Sequence, residues 1–255
     1  MGAAVAGHDR RAPGRRRVVL AVLLVALMLC VGGAVTSNAQ DVQANRRIGP
    51  VFVDGDARHS CTAGVVHSTH GDLMVTAAHC LTGVHGPITV APGYDRGRSP
   101  FGVWQVAAVY LDPAVETDPD VLDFAVLRVQ PRDGRSLESV TGRGWSIASY
   151  RDGLRVRVVG YGAGDGDSPV GCRAHTATVR GIPTIRCRGL VDGTSGSPWL
   201  SGRSVVGIVG GFRQGGCVSF ISHSPPLLPR LTALVARADR GGPGDTPPDT
   251  SPDDC

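Results

Sequence analysis

The ten residues "VDGTSGSPWL", Val191–Leu200, decide how the rest of the chain is read. Two glycines loosen the backbone, Thr194, Ser195 and Ser197 supply hydroxyls, and Pro198 leads back into an apolar run. Gly, Ser and Pro are ordinary turn residues, so the stretch is either a polar turn between strands or the seat of a reactive serine. A serine hydroxyl is a weak nucleophile at neutral pH. It needs a histidine within hydrogen-bond reach and a carboxylate to set that histidine's tautomer. The two readings part on whether such partners occur elsewhere in equally particular settings.

The histidine is found in "LMVTAAHC", where His79 follows a strand-like apolar run and two alanines and precedes Cys80. The carboxylate is found in "DFAVL", where Asp123 opens a run that reads as a buried strand, a place where a carboxylate must be hydrogen-bonded to be tolerated. Asp118 and Asp120 lie close by in "ETDPDVLD", which reads as a loop.

The runs around these residues are short and rich in Val and Ile: "SCTAGVVHS", "GVWQVAAVYL", "LRVRVVGYG", "SVVGIVGGF" and "CVSFIS". Gly, Pro, Asp or Ser bounds each of them, as expected of strands. With 36 Gly, 18 Pro and no helices alternating with the strands, the chain reads as all-β rather than α/β. "QPRDGRSLESVTGRG" divides the strands into two groups, for which two successive β-barrels are the simplest packing. One helix is predicted near the end, with Pro229 at its start and Leu227, Leu228, Leu231, Leu234, Val235 and Ala238 on one face. Beyond Arg240, "GGPGDTPPDTSPDDC" has too little to bury and is expected to be disordered, apart from any tie at Cys255.

Residues 1–39 read as an address. Arg15–Arg17 precede the apolar run Val18–Val35, and Ser37-Asn38-Ala39 form a small-x-small exit, so cleavage after Ala39 is expected. The alternative is an uncleaved anchor, which would leave the rest of the chain outside the membrane. The formal charge of +4 lies wholly within these 39 residues, and the remainder balances to zero. No nucleic-acid partner is therefore expected. Export implies an oxidising compartment. Cys30 lies in the apolar run, and the six others allow fifteen pairings. There is no C-x-x-C pair, and His67 and His70 lie in a polar hairpin-like loop, so neither metal nor other cofactor is expected.

Taken together, "VTAAHC", "DFAVL" and "GTSGSP" resemble the three motifs of the chymotrypsin-like (trypsin-like) serine proteases, in the order His–Asp–Ser and at similar spacing. "VVGYGAG" and "GIVGGF" extend the likeness, which runs from Ile48 to Arg240. The resemblance implies two six-stranded antiparallel β-barrels, over residues 48–145 and 146–226, with a C-terminal helix over 227–240 and a tail over 241–255. It implies endopeptidase activity on protein or peptide substrates by a secreted monomer of bacterial type. His79 would be the general base, Asp123 its orienting carboxylate and Ser195 the nucleophile. The N–H groups of Gly193 and Ser195 would form the oxyanion hole. Cys61–Cys80 matches a family bridge, Cys172–Cys187 is the expected second, and Cys217–Cys255 is the pair that remains.

The chain departs from the family in instructive places. Thr194 stands where family zymogens have an aspartate that pairs with a newly cut N-terminus. Although residues 40–47 end in a junction-like "RRIGPVF", activity is therefore expected not to depend on an Ile48 amino terminus. Neutral residues here, followed by Ser-Gly-Ser-Pro, resemble bacterial glutamyl endopeptidases. The histidine such enzymes place ahead of the wall strand is replaced by Val209. The pocket floor falls on Gly189 and the wall on Gly210, Gly211 and Phe212, which favours an uncharged apolar or small side chain at the cleavage site. A subtilisin-like reading, with Asp54 or Asp56 as acid, would need a parallel sheet and many helices. An α/β-hydrolase would need G-x-S-x-G and another chain order. A protease-fold binding protein without turnover is the alternative from a different class.

Overall fold

The Val-rich runs become strands because branched side chains pack well on a pleated face and each run is stopped by a turn residue. The computed structural model describes residues 1–4, 37–164 and 168–250, and every element below belongs to the compact unit that begins at Thr36. The apolar run 18–35, Cys30 and Cys255 lie outside the described residues. Among the described residues, no helix is long and apolar enough to cross a membrane.

Two short strands come first, β1 (Ser37–Asn38) and β2 (Gln40–Asp41). Next are β3 (Ile48–Phe52), β4 (His59–Val66), β5 (Leu73–Thr76), β6 (Thr89–Val90), β7 (Trp104–Leu111) and β8 (Ala125–Val129). These six close into an antiparallel barrel in the order β3-β4-β5-β8-β7-β6. Leu73, Met74, Trp104, Phe124 and Leu127 fill it at 0–1% exposure. Each such side chain contributes about 1.5–3 kcal/mol by leaving water.

The second half contains β9 (Ser146–Ile147), β10 (Arg155–Gly160), β11 (Val170–Val179), β12 (Ile182–Ile185), β13 (Cys187–Arg188), β14 (Pro198–Ser201), β15 (Ser204–Ile208) and β16 (Ser222–His223). Here the expectation of a second closed six-stranded barrel needs correction. The strands form an eight-stranded sheet, β16-β12-β11-β10-β14-β15-β9 with β2 added to β11, and β9 runs parallel to β15. Among the described residues its two end strands do not meet: β9 pairs only with β15, and β16 pairs only with β12. A smaller core of Val156, Val158, Ile185, Trp199 and Val206 lies under this sheet.

Two one-turn helices, α1 (Pro119–Leu122) and α2 (Leu137–Thr141), precede the terminal helix α3 (Arg230–Asp239). Asp120 therefore lies on a helical turn rather than in a plain loop. Helix α3 packs on β5, β7 and β8 through Leu231, Leu234 and Ala238, with Val235 partly buried. Pro229 stands just ahead of its first turn and Leu228 is only half-buried.

The disordered tail expected after Arg240 also needs correction, because residues 241–250 form a strap on the barrel. Strand β7 meets β6 only at Gln105 and Trp104, which leaves its later backbone groups open on that side. The strap supplies their partners: Asp245 N–H donates to Val109 O (2.7 Å) and Leu111 N–H donates to Asp245 Oδ2 (2.8 Å). The Tyr110 hydroxyl and Arg128 both donate to Gly242 O, and Arg237 clamps the Asp245 carboxylate with two bonds. Gly83 N–H then donates to Pro248 O (2.9 Å), which brings the strap beside the His79 turn. Residues 251–255 lie outside the described residues.

Candidate active site

Strand β5 ends at Thr76, the buried alanines Ala77 and Ala78 follow, and His79 begins a 3-10 turn through Leu81. A disulfide from Cys80 to Cys61 in β4 ties that turn to the barrel wall, so His79 stands on backbone fixed from both sides. The sulfurs of Cys61 and Cys80 lie close to His79 but are joined to each other, and offer no thiolate to a metal.

Asp123 follows α1 and leads into β8, with its side chain 5% exposed. Its carboxylate accepts three hydrogen bonds, one from His79 N–H to Oδ1 (2.9 Å), one from His79 Nδ1 to Oδ2 (2.7 Å) and one from Gly211 N–H to Oδ2 (2.7 Å). Three donors replace the water a buried carboxylate gives up. With the Nδ1 proton directed to Asp123, Nε2 remains as the lone-pair nitrogen of the imidazole. Asp118, by contrast, is exposed, and Asp120 is half-buried.

The loop Val191–Ser197 is wound tightly, with Thr194 N–H donating to Val191 O and Ser197 N–H to Thr194 O, both at 3.0 Å. Its three hydroxyl side chains are treated differently. Thr194 is 1% exposed and donates its hydroxyl to Val191 O (2.7 Å), Ser197 is 0% exposed, and Ser195 is only half-buried. Ser195 therefore presents the accessible hydroxyl of the loop.

The loop is seated against the barrel. Thr62 N–H donates to Ser195 O (2.8 Å), and the Thr62 hydroxyl donates to Gly193 O (3.0 Å). Gly196 rests so close to Thr62 O, Thr76 Oγ1 and Ala77 N that a Cβ there would collide with them. Gly193, at φ +91°, lies against Gly162 and Ala163, where a side chain would strike backbone. The Val191–Ser197 loop thus abuts the strand end that delivers His79. Sequence reading singled out neither Thr62 nor Thr76, because a threonine in a valine-rich strand gives no signal beyond β propensity.

Gly210 and Gly211 pass directly beside Asp123, and a Cβ on Gly210 would crowd its carboxylate. Phe212 turns away to meet the His223 ring edge-on, with centroids 5.5 Å apart. His223, also missed in the sequence, donates from Nδ1 to Thr184 Oγ1 (3.0 Å), since that hydroxyl gives its own proton to Ile182 O. Burial, assisted by Arg213, holds the His223 pKa below the usual histidine value. Gly189 donates its N–H to Ser219 O (2.9 Å) and lies next to Ala39. A disulfide joins Cys172 to Cys187. Cys217 is also disulfide-bonded, while its expected partner Cys255 lies outside the described residues.

A cavity of about 410 Å³ opens beside His79 and Asp123, lined also by Glu116, Asp120, Gln214 and, from the strap, Pro248 and Asp249. Ser195 lies outside this lining.

A family profile described as a trypsin-like peptidase domain matches residues 61–208, more than half of the chain. Among solved structures, the protease Anisep from Arthrobacter nicotinovorans is 22% identical with a TM-score of 0.69, over 80% of this chain and 100% of that one. A Glu endopeptidase is 16% identical with a TM-score of 0.65, over 81% and 99%. Human heparin binding protein is 14% identical with a TM-score of 0.64, over 81% and 98%. A search among curated proteins gave no match.

Proposed function

The chain belongs to the trypsin-like peptidase family, one of the chymotrypsin-like serine proteases, and on that premise we propose that it is a secreted serine endopeptidase acting through His79, Asp123 and Ser195. The observation that carries this reading is the 2.7 Å bond from His79 Nδ1 to the buried Asp123 carboxylate. It leaves Nε2 as base on a turn against which the Ser195 loop is packed. Ser195 Oγ attacks the substrate carbonyl while Nε2 takes its proton and then returns it to the departing amine. Asp123 keeps the imidazole in the working tautomer. The N–H groups of Gly193 and Ser195 hold the oxyanion, and water releases the acyl group by the same steps in reverse order. Gly189, Gly210, Gly211 and Phe212 shape the pocket for an uncharged apolar or small side chain.

Independence from an activation cut has its own support. Ile48 is 0% exposed within β3, and its N–H donates to Asn45 O (2.9 Å), so the residues just ahead of it are held to the fold in the uncut chain. Thr194, which replaces the pairing aspartate, satisfies its own hydroxyl on Val191 O. Residues 37–41 are strands of the fold, pairing with β13 and β11.

A chain beginning at Gln40, with its disulfides formed, is expected to react stoichiometrically with a fluorophosphonate probe, and Ser195→Ala is expected to be inert. A folded, oxidised sample that stays unlabelled would replace this reading with that of a silent, protease-fold binding protein.

A further inference from the structure

Thr62 sits in β4 beside Cys61 and is 0% exposed. Strand β5 pairs with β4 only over Gly64–Val66, so the stretch of β4 before Gly64 has no strand on that side. The nucleophile loop takes the vacant place. Thr62 N–H donates to Ser195 O (2.8 Å), and Thr62 O accepts the Thr76 hydroxyl (2.9 Å). The Thr62 side chain is engaged in both directions as well: Oγ1 donates to Gly193 O (3.0 Å) and accepts from Tyr161 N–H (2.9 Å).

The location of these bonds gives them a purpose. Gly193 O belongs to the peptide unit that separates the Gly193 and Ser195 N–H groups, and Ser195 O follows the second of them. Thr62 thus holds the backbone between and after the two oxyanion donors. Gly193, with its positive φ, has the conformational freedom to swing if that unit were released. We propose that Thr62 is a positioning residue whose hydroxyl, by gripping Gly193 O and Tyr161 N–H, keeps the two oxyanion donors aligned. This rests on Ser195 being the nucleophile.

The test measures kcat and KM per probe-labelled site for wild type, Thr62→Val, which keeps shape and loses the hydroxyl, and Thr62→Ser, which keeps the hydroxyl. A misplaced oxyanion donor is expected to lower kcat about 10- to 100-fold in Thr62→Val with KM little changed. Affinity for a peptide boronate, which forms a tetrahedral adduct on the serine, should fall by a similar factor. Affinity for the matching cleaved peptide product should hold. Thr62→Ser should stay within about threefold of wild type on each measure. A role in stability alone would lower the melting temperature and the number of labelled sites, without changing kcat per site or boronate affinity. Thr62→Ala serves in the same way if the valine variant does not fold.

Wild-type turnover per labelled site in Thr62→Val or Thr62→Ala would overturn the inference and leave the protease reading intact. So would a serine variant as impaired as the valine one, since the methyl group and not the hydroxyl would then matter. An unlabelled wild type would remove the protease reading itself, and this inference with it.

Discussion

The two halves of the molecule solve the problem of sheet edges differently. The first closes on itself through six strands and covers the remaining open edge of β7 with the strap that follows α3. The second stays open, ends in two-residue strands, and takes in β2, which precedes the first barrel in sequence. Each half is therefore completed by segments distant in sequence: β2 joins the second sheet, β1 pairs with β13 beside it, and residues 230–249 lie on the first barrel. The difference matches what each half contributes. The closed barrel provides His79 and Asp123, which need fixed orientation. The open, glycine-rich half provides a tightly wound loop, which needs positive-φ positions at Gly193 and Gly196.

If the barrel's task is orientation, the largest effect should come from removing it without disturbing the fold. Asp123→Asn keeps the volume but no longer imposes the tautomer, and kcat should fall by about 10⁴. Steady-state kinetics alongside thermal melting would check this. A modest loss of activity would mean that the half carrying the imidazole does not orient it.

The next test concerns rigidity. The Cys61–Cys80 bridge closes a loop of sequence separation 19 and lies within the first half alone. Replacing both cysteines with serine should lower stability by about 2–4 kcal/mol, measured by denaturant unfolding. A second-half loss of similar size on replacing Cys172 and Cys187, without greater damage to turnover in the first variant, would blur the contrast.

The smallest expected effect lies where α3 joins the first barrel. Asp239 ends the helix, a position unfavourable for a carboxylate beside the helix dipole, yet it receives the N–H groups of Thr69 and His70 and the His70 ring. Burial alone would raise its pKa, but these donors outweigh burial and bring it down to about 2. A depressed carboxylate pKa stabilises the fold above the unfolded value of about 3.9, and that stability is lost as pH falls through the folded value. Asp239→Asn should thus be less stable than wild type at neutral pH, by no more than about 1 kcal/mol once solvent screening is allowed for, and the gap should narrow between about pH 4 and pH 2. Melting curves across that range would show a constant gap if the Asp239 contacts were incidental.

Particular residues show what the sequence displays and what it hides. His79 and Asp123 were legible because each stands at the boundary of an apolar strand, where a polar group needs a reason. Ser195 was legible as one of three hydroxyls, and its neighbours Thr194 and Ser197 are separated from it only by burial. The strap was misread because its composition lacks apolar residues, whereas its attachment uses backbone groups and Asp245, which composition does not register. The second barrel was misread because strand runs give local conformation but not whether a sheet's ends meet.

Alternation of apolar and turn residues sufficed to determine that this chain is built of short β-strands. The spacing of His79, Asp123 and the Gly193–Pro198 loop sufficed to place it among chymotrypsin-like proteases. Which hydroxyl of the Val191–Ser197 loop is least buried, which threonine bonds that loop, and how residues 37–41 and 241–250 attach to the two halves were decided only in three dimensions. Those outcomes depend on hydrogen bonds between segments far apart in the chain, 131 residues in the case of Thr62 and Gly193. No local pattern encodes such a meeting, because it exists only once both halves have packed.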